Sequence, residues 1–262
     1  MSGNNKRPMI LQKRDLEFFK VLGKYARLVD RRQAMKFAGF SSQTRANARL
    51  LKLTSNGFLR RYFLGTFKGG SKALYTLSEK GAHLADIENW PVIRNKEALL
   101  VGDPFVNHQL AINDVHVACR FSIPEGSKFI RFVAFQKPLT KSLALIPDGY
   151  FEIETPTEVK PAFIEVDLGT ESLKVWSKKT SLYLHLAISG TFEKIFGRQQ
   201  FRVLVVAPSD RRLKTIQKAI SKQTGKVFWL STLEQIKRDG FWQSIWLRPN
   251  RDQKLSLLER NL

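Results

Sequence analysis

The chain is poor in cysteine. Cys119 stands alone, so no disulfide framework can form within the chain, and a reducing cytosol is the expected setting. Histidine is almost as scarce: His83, His108, His116 and His185 are scattered, without the spacing of a zinc motif. No apolar run approaches the ~20 residues of a membrane helix, and no signal-peptide core opens the chain. Acidic residues are short as well, with 23 Asp and Glu against 44 Lys and Arg. These shortages lead to the expectation of a cytoplasmic protein with no membrane partner.

What is abundant is positive charge. The 262 residues carry a formal net charge of +21, with a pI near 10.3. Such a surplus seeks a polyanion, and nucleic acid is the commonest soluble one. The charge is uneven: 18 Lys and Arg face only 4 Asp and Glu up to Ala82, net +14, which leaves +7 for the remainder. An anion-binding module in the first third is the expectation. Apolar residues make up 43% of the chain, enough for a sizeable core, and the length suits two domains.

The first module reads as three helices and a hairpin. Met1 to Pro8 reads as a basic arm. Leu11, Leu16, Phe19 and Leu22 recur near helical spacing and predict a helix over 11–25. Asp30 is a candidate N-cap for a helix over 31–40, with Gly39 at its end. Ser41 and Ser42 cap a third helix that runs to about Asn56, with Gly57 just past it. In that helix Ala46, Leu50 and Leu53 form a core stripe, while Arg45, Arg49, Lys52 and Asn56 share another face. One apolar side and one basic side is what a recognition helix in a major groove requires; a solvated basic face is the alternative.

Strand-like residues 58–66 and 72–77 flank Gly69-Gly70, a hairpin turn signal. Arg60, Arg61, Lys68 and Lys72 decorate this hairpin. Three helices followed by a basic two-stranded wing resemble a winged helix-turn-helix, and Leu74-Tyr75-Thr76-Leu77-Ser78-Glu79-Lys80-Gly81 is similar to that family's exit from the wing. The resemblance implies binding to double-stranded DNA through Ser42, Gln43, Arg45, Arg49, Lys52, Arg60, Arg61, Lys68 and Lys72. This module is expected over 9–85, with a connector over 86–102.

The second module, expected over 103–247, begins with Asp103-Pro104, an N-cap and a proline at the first helical position. The helix to about Cys119 places His108, Ile112, Val115 and Cys119 on one face; His108 reads as a packing residue. Asn113 and Asp114 lie off that stripe, where they either reach a polar site or are solvated. Strands are predicted over 129–136, 143–154 and 162–168, a helix over 171–188, a strand over 202–207, a helix over 211–222 and a strand over 227–230. A short helix over 231–238 follows. This order describes an α/β sheet covered on both sides. Trp229, Trp242 and Trp246 read as core. A polar tail is expected over 248–262, with Leu255, Leu257 and Leu258 spaced to serve a partner helix, as in a homodimer.

Acids stand where buried side chains are expected. Asp148 enters one strand; Glu165 and Asp167 lie in the next. Paired as a hairpin, the two strands bring three carboxylates close, which calls for a divalent cation, a shared proton or a basic neighbour. The order of elements, with Pro147-Asp148 and Glu165-Val166-Asp167, resembles the PD-(D/E)XK restriction-endonuclease-like fold. In that family two acids and a lysine surround Mg²⁺ or Mn²⁺. Asp148 and Glu165 match the acids, and Asp167 stands where the lysine belongs. The following helix offers Lys174 and Lys178, on one face with Glu171. The resemblance implies Asp148, Glu165 and Asp167 as metal ligands, and these acids with Lys178 as catalytic residues if the domain is active.

A narrower likeness spans both modules. The winged helix, His108-Gln109-Leu110-Ala111-Ile112-Asn113-Asp114-Val115, Pro147-Asp148, Glu165-Val166-Asp167-Leu168-Gly169-Thr170-Glu171, Lys178 and Tyr183 together resemble the replication-relaxation family. That family comprises accessory proteins of plasmids and other mobile elements. It implies DNA binding in replication, mobilisation or their control, alongside other replication, mobilisation or recombination proteins. Three functions are carried forward: a DNA-binding protein whose nuclease-like domain is a platform, a Mg²⁺-dependent endonuclease delivered by its winged helix, and a transcriptional repressor.

Overall fold

The computed structural model describes residues 9–65, 69–88 and 103–259. The chain forms two compact units, Met1–Asn113 and Asp114–Leu262.

In the first unit α1 (Lys13–Val21) buries Phe18, Phe19 and Val21. A π-helical turn, Leu22–Ala26, continues it and is stopped by Arg27 at φ 57°. The periodic run 11–25 therefore divides into two kinds of helix. A short strand β1 (Leu28–Asp30), not expected from the sequence, leads into α2 (Arg31–Ala38). Asp30 caps α2, accepting from Gln33 N at 2.8 Å, and Gly39 ends it at φ 67°, where a residue without Cβ is favoured.

Ser42 caps α3 (Gln43–Ser55), which buries the expected stripe Ala46, Leu50 and Leu53. A fully buried Leu of this kind contributes about 1.5–3 kcal/mol. The strands β2 (Leu59–Gly65) and β3 (Ser71–Leu77) pair antiparallel, and β1 pairs on the other side of β3, giving the order β1-β3-β2. A small helix α4 (Glu79–Leu84) follows, capped by Ser78. Its Gly81 has a packing reason: a Cβ there would lie 2.2 Å from the Phe58 carbonyl oxygen.

Asp103 accepts from Phe105 N and Val106 N, at 2.9 and 3.2 Å, and so opens α5 (Pro104–Phe121) as its sequence predicts. The first turns of α5 belong to the first unit. There Val106 and Leu110 pack with Leu28, Tyr62, Leu64 and Leu74. Asn113 is spent on structure, since its Nδ2 donates to the carbonyls of Ala26 and Leu28 at 3.1 and 2.7 Å.

The second unit is a mixed five-stranded sheet in the order β4-β5-β6-β7-β8. Its strands are β4 (Lys128–Val133), β5 (Gly149–Glu154), β6 (Val159–Val166), β7 (Arg202–Ala207) and β8 (Phe228–Thr232). The first three run antiparallel; β6, β7 and β8 are parallel, linked by α6 (Leu173–Ile188), α7 (Thr191–Phe196) and α8 (Asp210–Ser221). β7 reads Arg-Val-Leu-Val-Val-Ala and is buried throughout, as a strand covered on both faces must be. Trp176, Tyr183 and Leu186 of α6 and Leu213, Ile216 and Ile220 of α8 pack on one face with Tyr150, Phe163 and Val205. Phe241 and Trp242, beyond α9 (Leu233–Asp239), set their edges against Phe151. A mixed sheet layered with helices is compatible with an α/β nuclease-like fold.

Some boundaries differ from expectation. The strand predicted over 143–154 begins only at Gly149; Pro147 cannot donate to a ladder and holds the preceding residues irregular. Within the expected polar tail, Leu255 bridges to Trp246 and Leu257 is buried. The leucines expected to form a helical stripe are in no helix among the described residues. Among the described residues, no helix is long and apolar enough to cross a membrane.

Candidate functional site

Glu165 and Asp167 stand two residues apart at the end of β6, on the face toward α6, as a strand's period of two dictates. Both are buried. The Glu165 carboxylate accepts from the Tyr183 hydroxyl at 2.5 Å and from Lys179 Nζ at 2.9 Å. Lys179 and Tyr183 are one helical turn apart on α6, which lets one helix face close on one acid. Lys179 also meets Glu171 at 2.7 Å. Asp148, just before β5, accepts from the backbone N–H of Val166 at 2.7 Å. It ties the entry of one strand to the end of its neighbour.

Asp167 has a different environment. Its Oδ1 accepts from Gly169 N at 2.5 Å and Arg212 Nε at 2.9 Å; its Oδ2 accepts from Trp176 Nε1 at 2.7 Å and Arg212 Nη2 at 2.6 Å. A carboxylate offers about four lone-pair directions, and these four donors take them. Gly169, at φ 90°, supplies the turn that brings its N–H back.

The electrostatics follow from these partners. Burial pushes the Glu165 carboxyl up to about 7, against the pull of Lys179 and helped by the charge of Asp148. Burial likewise raises the Tyr183 phenol well above its ordinary value, as does the adjacent Glu165. Burial also opposes ionisation of Asp167, but Arg212, Trp176 and the Gly169 N–H outweigh it and hold the carboxyl below the usual range. Lys179 is held above the ordinary lysine range: burial lowers it, and Glu165 and Glu171 more than compensate.

The three acids do not assemble the cation site expected of them. Among the described residues, no group of three or more His, Cys, Asp or Glu side chains could hold a metal ion. Asp167 is committed to Arg212, a residue 45 positions further on that α8 delivers. Its four filled acceptor directions do not fit a metal ligand. Lys174 and Lys178 are exposed, and Lys179 is the lysine that reaches Glu165. The arrangement of Asp148, Glu165 and Lys179 keeps two acids and a lysine together.

A further buried acid of the second unit was not singled out in the sequence. Glu152 on β5 accepts from the Tyr150 hydroxyl at 2.6 Å and from Arg198 at 3.1 Å, and it pairs with Arg131. Burial raises its pKa, but these three donors together bring it below the ordinary value. The cue in the sequence was an acid inside an apolar strand. Its partners, on β4 and beyond α7, were not readable from it. Asp114 pairs with Lys237 at 2.6 Å.

In the first unit, α3 presents Gln43, Arg45 and Lys52 to solvent. Ser42 is occupied as the helix cap, accepting from Arg45 N at 3.3 Å. Arg49 leaves the expected basic face. Its Nε donates to buried Asp15 at 3.0 Å, its Nη2 pairs with the same carboxylate, and Nη2 also reaches the Ile10 carbonyl at 3.0 Å. On the hairpin Arg61 is exposed and lies over the Phe63 ring at 5.0 Å, and Arg60 is half-buried. Lys72 is exposed enough to meet solvent and pairs with Asp30 at 3.0 Å. Lys68 lies outside the described residues.

A family model described as replication-relaxation matches residues 24–198. The chain belongs to the replication-relaxation family. Comparison with curated proteins and with solved structures gave no match. The replication-relaxation match contains α3, the β2–β3 hairpin, Asp148, Glu165 and Lys179; Arg212 and the last two strands' connection lie beyond it. Membership points to a role in replication or in the function of a mobile element.

Proposed function

We propose that this replication-relaxation protein binds double-stranded DNA through its first unit and does not cut it. On this reading the unit is a winged helix-turn-helix domain: α3 enters the major groove and the β2–β3 hairpin lies along the backbone as the wing. One observation carries the reading. The side of α3 opposite its core stripe keeps Arg45 and Lys52 in solvent, and the hairpin adds exposed Arg61. Cations placed so would neutralise phosphates and release counterions, the main source of affinity for duplex.

The second unit serves as a platform for the DNA backbone or for other proteins of replication or mobilisation. Its PD-(D/E)XK-like acids are bound to the protein's own cations, Glu165 to Lys179 and Asp167 to Arg212. A nuclease needs such acids open to a metal and to water.

The proximity of Asp148, Glu165 and Lys179 favours a second reading, a metal-dependent endonuclease that uses two acids and a lysine. Supercoiled plasmid incubated with the protein and Mg²⁺ or Mn²⁺ separates the two. Binding without nicks is the expected result. Nicking that needs the metal and disappears in an Asp148→Ala/Glu165→Ala variant would establish the enzyme instead.

A further inference from the structure

Two helices of the second unit share a basic outer surface. α6 and α8 lie side by side on one face of the sheet, where Trp176, Tyr183 and Leu186 join Leu213, Ile216 and Ile220 in one core. Bonds at both ends hold them together. Arg212 of α8 donates to the Glu171 carbonyl just before α6. Gln223, just past α8, donates to the Ser177 carbonyl at 3.0 Å and accepts from the Ser181 hydroxyl at 2.8 Å.

The outer side of α8 follows from its sequence. Leu213, Ile216 and Ile220 are buried. Arg211, Lys214, Lys218 and Lys222 recur three or four residues apart on the opposite side, and all four are exposed. At ~1.5 Å per residue this ridge is about 16 Å long. On α6, Lys174 and Lys178 are exposed one turn apart, and Ser181 and His185 continue their line. Lys178, expected beside the acids, stands on this surface instead.

The sign of the charge is uniform here. Surface helices commonly mix signs and pair them, as Lys20 does with Glu17 on α1 at 3.3 Å and Arg238 with Asp239 on α9 at 2.8 Å. α6 contains no Asp or Glu. The one acid of α8, Asp210, is at its N-terminal end and accepts from Gln235 at 3.3 Å.

We infer that the outer surface of α6 and α8 binds the phosphate backbone of duplex DNA without reading its sequence. The α8 ridge covers about five base pairs at ~3.4 Å each. Lysine meets phosphate as a point charge, which neutralises the backbone and carries no base code. Protein–protein contacts are instead depleted of lysine and centre on aromatic and aliphatic anchors. The surface gives the platform proposed above one partner, and the inference rests on the reading of this chain as a duplex-binding protein.

Lysine acetylation of the full chain, with and without duplex and read by mass spectrometry, tests the surface. Lys174, Lys178, Lys214, Lys218 and Lys222 should lose most of their reactivity when duplex is bound. Exposed Lys128, on β4 at the other edge of the sheet, should keep its own. Lys214→Gln/Lys218→Gln/Lys222→Gln alters only exposed side chains. It should weaken binding about tenfold and make the slope of log K against log salt shallower by about 3, equally for duplexes of unrelated sequence. Lys214→Arg/Lys218→Arg/Lys222→Arg keeps the charge and should bind as the wild type does. Protection of Lys52 while the α6 and α8 lysines stay as reactive as in the free protein overturns the inference and leaves the α3 face standing. Protection of the α6 and α8 lysines without Lys52 keeps this surface and removes the α3 face; no duplex binding removes both. A glutamine variant with unchanged affinity and slope also overturns the inference and leaves the surface to an acidic protein.

Discussion

Lys179 Nζ lies 2.9 Å from the Glu165 carboxylate and 2.7 Å from that of Glu171, so one ammonium bridges an acid at the end of β6 and one in the segment before α6. Glu165 is fully buried and Lys179 is only partly exposed. Removing one member of such a pair leaves the other's charge uncompensated in a poorly solvated place.

Lys179→Met should therefore destabilise the second unit by about 3 kcal/mol at pH 8. The loss should be smaller at pH 5, where the orphaned Glu165 takes up a proton. Urea unfolding at the two pH values checks this, and an equal loss at both would count against a charged Glu165.

Glu165 itself imposes a pH dependence. Its carboxyl titrates near 7 in the fold against an ordinary 4.5. The folded state thus holds the proton more tightly than the unfolded chain does. The stability this gives is complete below about 4.5 and is lost as pH rises towards 7. Glu165→Gln cannot ionise, so its stability relative to the wild type should rise across that window, by up to about 3 kcal/mol, and level off above it.

Asp167 has the opposite sign. Its carboxyl is depressed, so its contribution is present above the ordinary aspartate value and lost as pH falls below it. Arg212→Ala should cost about 3 kcal/mol at neutral pH and flatten the acid limb of the stability curve. A variant with an unchanged acid limb would show that Arg212 is not what holds Asp167 ionised.

Two arginines of α3 should separate cleanly. Arg49→Ala removes the partner of buried Asp15 and should lower stability by about 3 kcal/mol. Arg45→Ala alters an exposed side chain and should change stability by no more than about 0.5 kcal/mol. Thermal unfolding of the two variants reads the difference.

The elements were legible where local chemistry specifies them. Asp30, Gly39, Ser42 and Asp103 marked helix ends, and the Ala46, Leu50, Leu53 stripe marked a buried face, because caps and periodicity act within one turn. Strand β1 was not legible, since three residues carry no period and depend on β3 for their bonds. The same limit governed the site. Asp148, Glu165 and Asp167 stood out as acids in apolar strands, but a sequence does not say which cation arrives from elsewhere. Arg212 claims Asp167 from 45 residues away, and Asp15 claims Arg49 from 34. On α6 Lys178 and Lys179 are adjacent in sequence and a hundred degrees apart around the helix, so the phase of packing chose between them.

Duplex binding measured across a range of salt tests the account most directly. For the wild type, log K should fall steeply with log salt. Arg45→Ala/Lys52→Ala should weaken binding and make the slope shallower by about 2, one unit for each phosphate contact removed. Equal affinity and an equal slope in that variant would contradict a DNA-binding face on α3.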